Sequence, residues 1–327
     1  MTDTAFFTRL LDDVPPAERF RLATEQIRRA EQCGFARAWV AQHHFRAAEG
    51  GLPSPFVLLA NVAAHTSAIR LGTGVVTLTL EDPVRVAEDA VVADLLSGGR
   101  IDLGLGSGGT PASFAPFGLS LQNKTADYER KLETLIAALG GGELGGGNAL
   151  YPEPGSLKDR VWQATFSAAG GTRAGRPGHG LLLSRTQPRV AGREDAQLHE
   201  IQRPIIDAYL EALPAGLEPR ITASRTVFVA DDRAEALRFA DVGLRRYASL
   251  FGVPEGAPVE EFIRRSDTHL GTPDDVAESL AADRALEHAD EVAIQVHSVD
   301  APHDYVLRSI ELFAGEVAPR FGWGAGA

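Results

Sequence analysis

The stretch IRLGTGVVTLTLEDPVRVAEDAVVADLLSGGRIDLGLGSGG, Ile69 to Gly109, decides the fold. Ile69 to Leu78 is rich in β-branched residues and reads as a strand. Val84 to Leu96 has helical spacing, and Ser97-Gly98-Gly99 closes it. Arg100 to Leu105 is a second strand. A strand, a helix and a strand in that order imply parallel strands joined by a right-handed crossover. The alternation continues on both sides. Upstream lie a strand at Ala5 to Leu10, a helix at Pro15 to Cys33, a strand at Ala36 to Ala41 and a helix at Pro55 to His65. Phe20, Ile27 and Ala30 share one face of the first helix, Pro15 and Pro16 suit its first turn, and Gly34 suits its C-terminal cap.

Downstream, strands are expected at Val161 to Phe166, Gly180 to Leu183, Ile221 to Ala230 and Glu291 to Val296. Helices are expected at Ala126 to Leu139, Asp195 to Leu213, Arg233 to Tyr247, Pro273 to His288 and His303 to Val317. Eight strands, nearly all followed by a helix, in a chain of 327 residues fit a closed α/β TIM barrel, (β/α)8. The alternative is a doubly wound open sheet. No composition break divides the chain, so residues 1–321 are expected to form one barrel domain and Gly322 to Ala327 a disordered tail. Gly140 to Gly147, six glycines in eight residues, reads as a surface loop, and Ser249 to Thr272 as a longer connection with room for a short extra helix before the last helix-strand pair.

Composition narrows the function. Hydrophobic residues at 44% and charged residues at 23% describe a globular chain. Thirty-two basic against 44 acidic residues leave a net charge of −12, which repels phosphate backbones and argues against a nucleic-acid partner. The single cysteine, Cys33, allows neither an intrachain disulfide nor a thiolate metal cluster, and no metal is expected. Met1 to Leu10 lacks the pattern of a signal peptide. The apolar stretch Leu52 to Ile69 is interrupted by Pro53, Pro55, Asn61 and His65, so a cytoplasmic protein without a membrane span is expected.

In a barrel of this kind, chemistry sits at the C-terminal ends of the strands. The second strand ends in Gln42-His43-His44-Phe45. Adjacent side chains on a strand point to opposite faces, so only one histidine faces the mouth, where it can act as a general base or meet an anionic cofactor; a capping histidine is the plainer alternative. Glycines inside the third strand, Gly72 and Gly74, point to close approach by a flat ring system, or to a bulge at the rim. Gly104-Leu105-Gly106-Ser107-Gly108-Gly109 matches a dinucleotide fingerprint in form. The prolines that follow forbid the helix that fingerprint requires, so it is read as a loop offering N–H groups to an anion. Ser167 with Gly170 and Gly171 opens a helix, a ready phosphate site or an ordinary N-cap. Arg185, just after the sixth strand, can meet a phosphate or form a surface ion pair. Cys33 reads as a packing residue.

These segments resemble the flavin-dependent, luciferase-like monooxygenase family. AEQCGFARAWVAQHHF (Ala30 to Phe45), the Ile69 to Gly109 stretch, GTPDDVAESL (Gly271 to Leu280) and ELFAGEVAPRF (Glu311 to Phe321) carry the resemblance in order along nearly the whole chain. It implies a barrel that binds FMN at the strand C-termini, a separate flavin reductase as partner supplying reduced FMN, and reaction with O2 to a C4a-(hydro)peroxyflavin that oxygenates a small organic substrate. His43 corresponds to the acid/base histidine, Gly74-Val75 to a non-prolyl cis peptide against the flavin ring, and Ser167 to the phosphate serine, with Gly170 and Gly171 N–H groups beside it. Gln42, Gly106, Ser107, Gly108 and Arg185 complete the expected cofactor contacts. Gln42 stands where bacterial luciferase has glutamate, Ser107 where it has arginine, and Phe166-Ser167 where it has Glu-Ser. Either Arg185 or Arg173 is then the substitute cation, or the flavin binds weakly as a transient substrate. The departures leave two alternatives open, F420-dependent hydride transfer on the same barrel and a non-catalytic flavin-binding partner subunit. The resemblance also implies a homodimer, with the helices Pro55 to His65 and Val84 to Leu96 as its candidate faces. Phe114 and Phe117, in the neutral loop Pro111 to Gln122, point to an apolar substrate.

Overall fold

The computed structural model describes residues 2–189, 191–248, 252–254 and 256–324. Among them are ten strands: β1 (Asp3–Thr8), β2 (Arg37–Val40), β3 (Arg70–Thr73), β4 (Val76–Thr77), β5 (Ile101–Gly106), β6 (Val161–Ala164), β7 (Gly180–Leu183), β8 (Ile221–Val229), β9 (Thr268–Gly271) and β10 (Glu291–Gln295). The order runs β10-β1-β2-β3-β5-β6-β7-β8, and β8 pairs again with β10, so eight parallel strands close a ring. Closure is made by Asp3↔Glu291 through Phe6↔Ile294 on one side of β10 and Thr222↔Glu291 through Thr226↔Gln295 on the other. A closed ring has no sheet edges, which excludes the doubly wound alternative and makes the chain a (β/α)8 barrel.

The outer layer holds α1 (Pro16–Gln32), α2 (Pro55–Ala63), α3 (Pro83–Leu96), α4 (Lys124–Leu139), α5 (Ala168–Gly175), α6 (Leu198–Ala212) and α7 (Arg233–Arg245). Helices at Val259–Arg265, Pro273–Ala281 and His303–Leu312 follow. Local chemistry sets their ends. Asp82 caps α3 by accepting from the N–H groups of Val84 and Arg85, and Pro83 fills the first helical position, where no N–H is missed. Among the described residues no helix is long and apolar enough to cross a membrane.

Four expectations need correction. The strand expected over Ile69 to Leu78 is interrupted: β3 stops at Thr73, the Gly74-Val75 peptide is cis, and β4 resumes against β5. The long connection after α7 carries β9 as well as a short helix; β9 pairs with the outer half of β8, Thr226↔Thr268 through Val229↔Gly271. Four residues running directly into a helix cap are too few to show a strand period. The helix expected over Pro273 to His288 ends at Ala281, because the Asp283 carboxylate caps Ala285 and ion-pairs with buried Arg225 at 2.5 Å, turning the chain into a 3-10 segment. Of the expected tail, Trp323 stacks on Phe321 and Gly324 N–H donates to Thr2 O at 3.0 Å; residues 325–327 lie outside the described residues, as do 249–251 and 255 of the long connection.

Two tryptophans fill the ring. Trp39 from β2 and Trp162 from β6 meet edge to face at 5.5 Å. Each stands over a glycine on the neighbouring strand: a Cβ at Gly72 would lie 2.2 Å from Trp39, and one at Gly180 would lie 2.0 Å from Trp162. The ring approaching Gly72 is therefore an indole of the protein's own core. Large residues facing glycine across strands give a dense interior, and each buried indole contributes about 5 kcal/mol of transfer free energy. Below the indoles, Arg37 pairs with Asp102 at 2.8 Å and with Glu291, while Arg70 reaches Asp102 at 2.7 Å. Trp39 Nε1 and Thr222 Oγ1 also donate to Glu291, at 2.7 and 2.9 Å. This end of the barrel is sealed, and function is left to the opposite rim.

Candidate active site

The C-terminal ends of the strands deliver Arg9, His43, Gly74-Val75, Ser107, Ser167 and Arg185 to one rim. Two non-glycine residues there adopt left-handed backbone, Leu10 (φ 58°) and Phe45 (φ 67°). They follow Arg9 and the histidine pair directly, where such costly conformations redirect the chain.

The two histidines separate as alternation requires. His44 is buried, packs on Phe45 and edge-on to Phe117 at 5.1 Å, and its Nε2 has no partner. His43 turns towards Arg9: a Cβ at Gly50 would lie 2.5 Å from Arg9 O and 3.1 Å from the His43 ring. Burial, then the charge of Arg9, then His44 and Arg185, hold the His43 imidazole at about 3. It is neutral across the physiological range and offers one N–H and one lone pair. Gln42 is committed to the scaffold. Its Nε2 donates to Pro53 O (3.0 Å) and Glu81 Oε1 (2.6 Å), and its Oε1 accepts from Thr77 N–H (2.7 Å).

The neighbouring segment is a backbone surface. Gly74 cannot carry a side chain, since a Cβ would meet Phe7 at 2.8 Å, and a Cβ at Gly106 would meet Val75 at 2.6 Å. A main-chain bond ties this surface to the end of β2: the Gln42 N–H donates to Val75 O at 3.3 Å.

Two loops on paired strands, β5 and β6, can hold an anion. Gly108 has φ +72°, which favours glycine. Lys124 Nζ lies 3.1 Å from Gly108 O and puts a cation at this loop, where Ser107 supplies none. The Ser167 hydroxyl caps α5 by accepting from Gly170 N–H at 3.2 Å, and Gly171 N–H goes to Ser167 O at 3.0 Å. The N–H groups of Gly170 and Gly171 are thus spent within the helix, which corrects their expected place beside a phosphate. Both glycines serve packing, against Thr165 and against Ile205 O. The exposed first-turn residues Ala168 and Ala169 present the N–H groups that a helix start leaves open. Arg173 is occupied by Glu129, Gln163 and the Tyr128 ring, on the outside of the barrel. A groove of about 1090 Å3 between α4 and α5 also lies outside the ring, away from the rim.

Arg185 leans towards β8, donating from Nη1 to Thr226 Oγ1 at 2.9 Å. It is 5% exposed. Burial, with the like charge of Arg9 adding to it, lowers the guanidinium to about 9, still cationic at neutral pH. Arg9 and Lys124 were not legible in sequence: nothing marks either among 32 basic residues until the chain folds.

Comparison with known proteins identifies the family and the fold. Residues 3–290 match the family model of the luciferase-like monooxygenases. The 4-hydroxyprotoasukamycin monooxygenase of Streptomyces nodosus subsp. asukaensis is 30% identical over 316 residues, 89% of this chain and 84% of that protein. Two solved structures share the fold. The oxygenating constituent of 3,6-diketocamphane monooxygenase from Pseudomonas putida, in complex with FMN, aligns with a TM-score of 0.74 at 20% identity over 98% of both chains. The coenzyme F420-dependent tetrahydromethanopterin reductase of Methanopyrus kandleri aligns with a TM-score of 0.67 at 17% identity, over 98% of this chain and 99% of that one. The chain belongs to the luciferase-like monooxygenase family and is a monooxygenase enzyme built on a (β/α)8 barrel.

Proposed function

We propose that the protein is the oxygenase of a two-component, FMN-dependent system, taking reduced FMN from a separate reductase and oxygenating a small organic substrate with O2. The observation that carries this reading is the pairing of an anion cradle at β5 and β6 with neutral His43, the Gly74-Val75 backbone, bare of a side chain at Gly74, lying between them along the strand order. The residues present fit a flavin phosphate: Lys124, the Ser107-Gly108 loop, the Ser167 hydroxyl and the open N–H groups of Ala168 and Ala169 would hold it. Reduced FMN, when bound, supplies the electrons that activate O2. His43 holds or gives up one proton at a ring nitrogen. His44, Phe45 and Phe117 form an aromatic rim, with Phe45 and Phe117 exposed, that suits an apolar substrate body.

Two further readings belong with this one. Residues 1–321 act as a single barrel domain. A homodimer through α2 and α3 is supported by Val57, Val92, Leu95 and Leu96, which are exposed on those helices; a monomer in light scattering at micromolar concentration would count against it.

The test is a titration under argon with reduced FMN and, in parallel, reduced F420. Reduced FMN is expected to bind about tenfold or more tightly than F420, a difference of about 1.4 kcal/mol. With a reductase present, His43→Ala should lower oxygenation by about 10²–10⁴ while leaving flavin binding in place. Preference for F420, or no binding of reduced FMN, overturns the proposal.

A further inference from the structure

The rim holds two arginines that no carboxylate among the described residues neutralises. Among the described residues, neither Arg9 nor Arg185 forms an ion pair with a carboxylate. Arg185 is 5% exposed, and one of its five N–H groups has a partner, the Thr226 hydroxyl. Arg9 donates from Nη2 to Glu49 O at 2.6 Å, and its buried Nε has no partner at all. The Glu49 carboxylate near Arg9 is turned to Arg46, at 3.5 Å. Tyr247, the remaining polar group facing this pair, directs its hydroxyl to Ala48 O.

Other arginines show what a satisfied one looks like here. Buried Arg225 is matched by both oxygens of Asp283. Arg100 lacks a carboxylate but spends its guanidinium on the carbonyls of Ser97, Ile69, Ala63 and Thr66. Arg220 does the same with those of Asp159, Val161 and Gly178. Arg9 and Arg185 alone combine a place at the rim with open donors and no counter-charge among these cases. A guanidinium withdrawn from water without an anion is unfavourable, and a ligand that brings the anion relieves it.

We propose that Arg9 and Arg185 form the recognition site for an anionic oxygen of the organic substrate, a carboxylate or phenolate, held beside His43. The substrate class is then an amphipathic organic acid: an apolar body against Phe45 and Phe117, and an anionic end on the arginine pair. The ring order separates this site from the flavin cradle. Arg9 follows β1, which stands four places around the eight-strand ring from β6 and Ser167, and Arg185 leans away from β6 towards β8. Arg185 accordingly moves from the expected flavin contacts to the substrate side. This assignment deepens the proposed oxygenase reading and rests on it for the word substrate.

The experiment uses the flavin-free full chain, titrated calorimetrically with benzoate and with benzamide, its uncharged counterpart of nearly equal size. Wild type should bind benzoate about tenfold or more tightly than benzamide. Arg185→Met should abolish the preference. Arg9→Gln, a rim change that spares the interior, should reduce it by at least about threefold, so a misfolded Arg185 variant leaves the test intact. Equal binding of the two probes by wild type, or a preference unchanged in Arg9→Gln, overturns the proposal. FMN affinity should stay within about threefold in both variants. If FMN displaces benzoate, or loses affinity in parallel with it, the pair belongs to the flavin and the proposal falls. Should benzoate bind as expected while reduced FMN does not bind wild type, the anion site stands and the FMN reading fails.

Discussion

The two ends of the barrel treat the same residue type in opposite ways. At the N-terminal end, Arg37 and Arg70 are matched by Asp102 and Glu291, with Trp39 and Thr222 filling the remaining oxygen positions. At the C-terminal rim, Arg9 and Arg185 have, among the described residues, no paired acid, one hydroxyl and one carbonyl between them. Both ends are largely withdrawn from water, so burial does not account for the difference. A network complete within the chain serves stability, and an incomplete one awaits a ligand. The −12 net charge makes the contrast sharper, because acids are plentiful and, among the described residues, none ion-pairs with the rim arginines.

Breaking the closed end should have the largest effect. Asp102→Ala leaves Arg37 and Arg70 short of their shared carboxylate and should cost about 3–5 kcal/mol in urea unfolding. A loss below about 1 kcal/mol would mean the network contributes no stability. The next largest effect concerns the indole layer between the two ends. Gly180→Ala drives a methyl to 2.0 Å from Trp162 and should cost about 1–3 kcal/mol, read as a lower melting temperature.

Acid should weaken the fold through its buried histidines. Burial holds His43 at about 3, so the unfolded chain takes up its proton near pH 6.5 while the folded chain refuses it. The stability due to neutral His43 is therefore full above pH 6.5 and is lost as pH falls towards 3. His179 and His269, each held at about 4 by burial, act in the same direction. His43→Gln should flatten the fall in unfolding free energy, measured by urea titration, between pH 7 and 5 by about 1–2 kcal/mol; an unchanged slope would show that His43 is not held neutral. The smallest effect is expected at the open end. Arg185→Met replaces an uncompensated cation with an apolar chain and should leave stability within about 1 kcal/mol of wild type, or raise it. A loss comparable to that of Asp102→Ala would erase the distinction between the two ends.

The fold was largely legible. The eight strands expected from β-branched runs are the eight that close the ring, because a parallel barrel repeats one local pattern and each repeat carries its own signal. What escaped was non-local: β9 at four residues. The cis peptide at Gly74-Val75 was expected through the family resemblance, while the strand pattern itself ran on without a break. The placement of His43 at the rim was legible from its position after β2. The glycines misled in an instructive way. Gly72 signals the approach of a ring, and the ring is Trp39; Gly170 and Gly171 signal tight packing, and the partners are Thr165 and Ile205. A glycine records that something comes close without recording what.

The sequence by itself determined the order of strands and helices, the barrel class and the rim on which chemistry is placed, because these follow from periodicity and chain direction. Tertiary structure decided which charges are paired. Arg9, Arg37, Arg70 and Arg185 are alike as letters. Only the closed ring, which brings Asp102 and Glu291 to Arg37 and brings no acid to Arg9 or Arg185, makes one pair part of the scaffold and leaves the other open to a ligand.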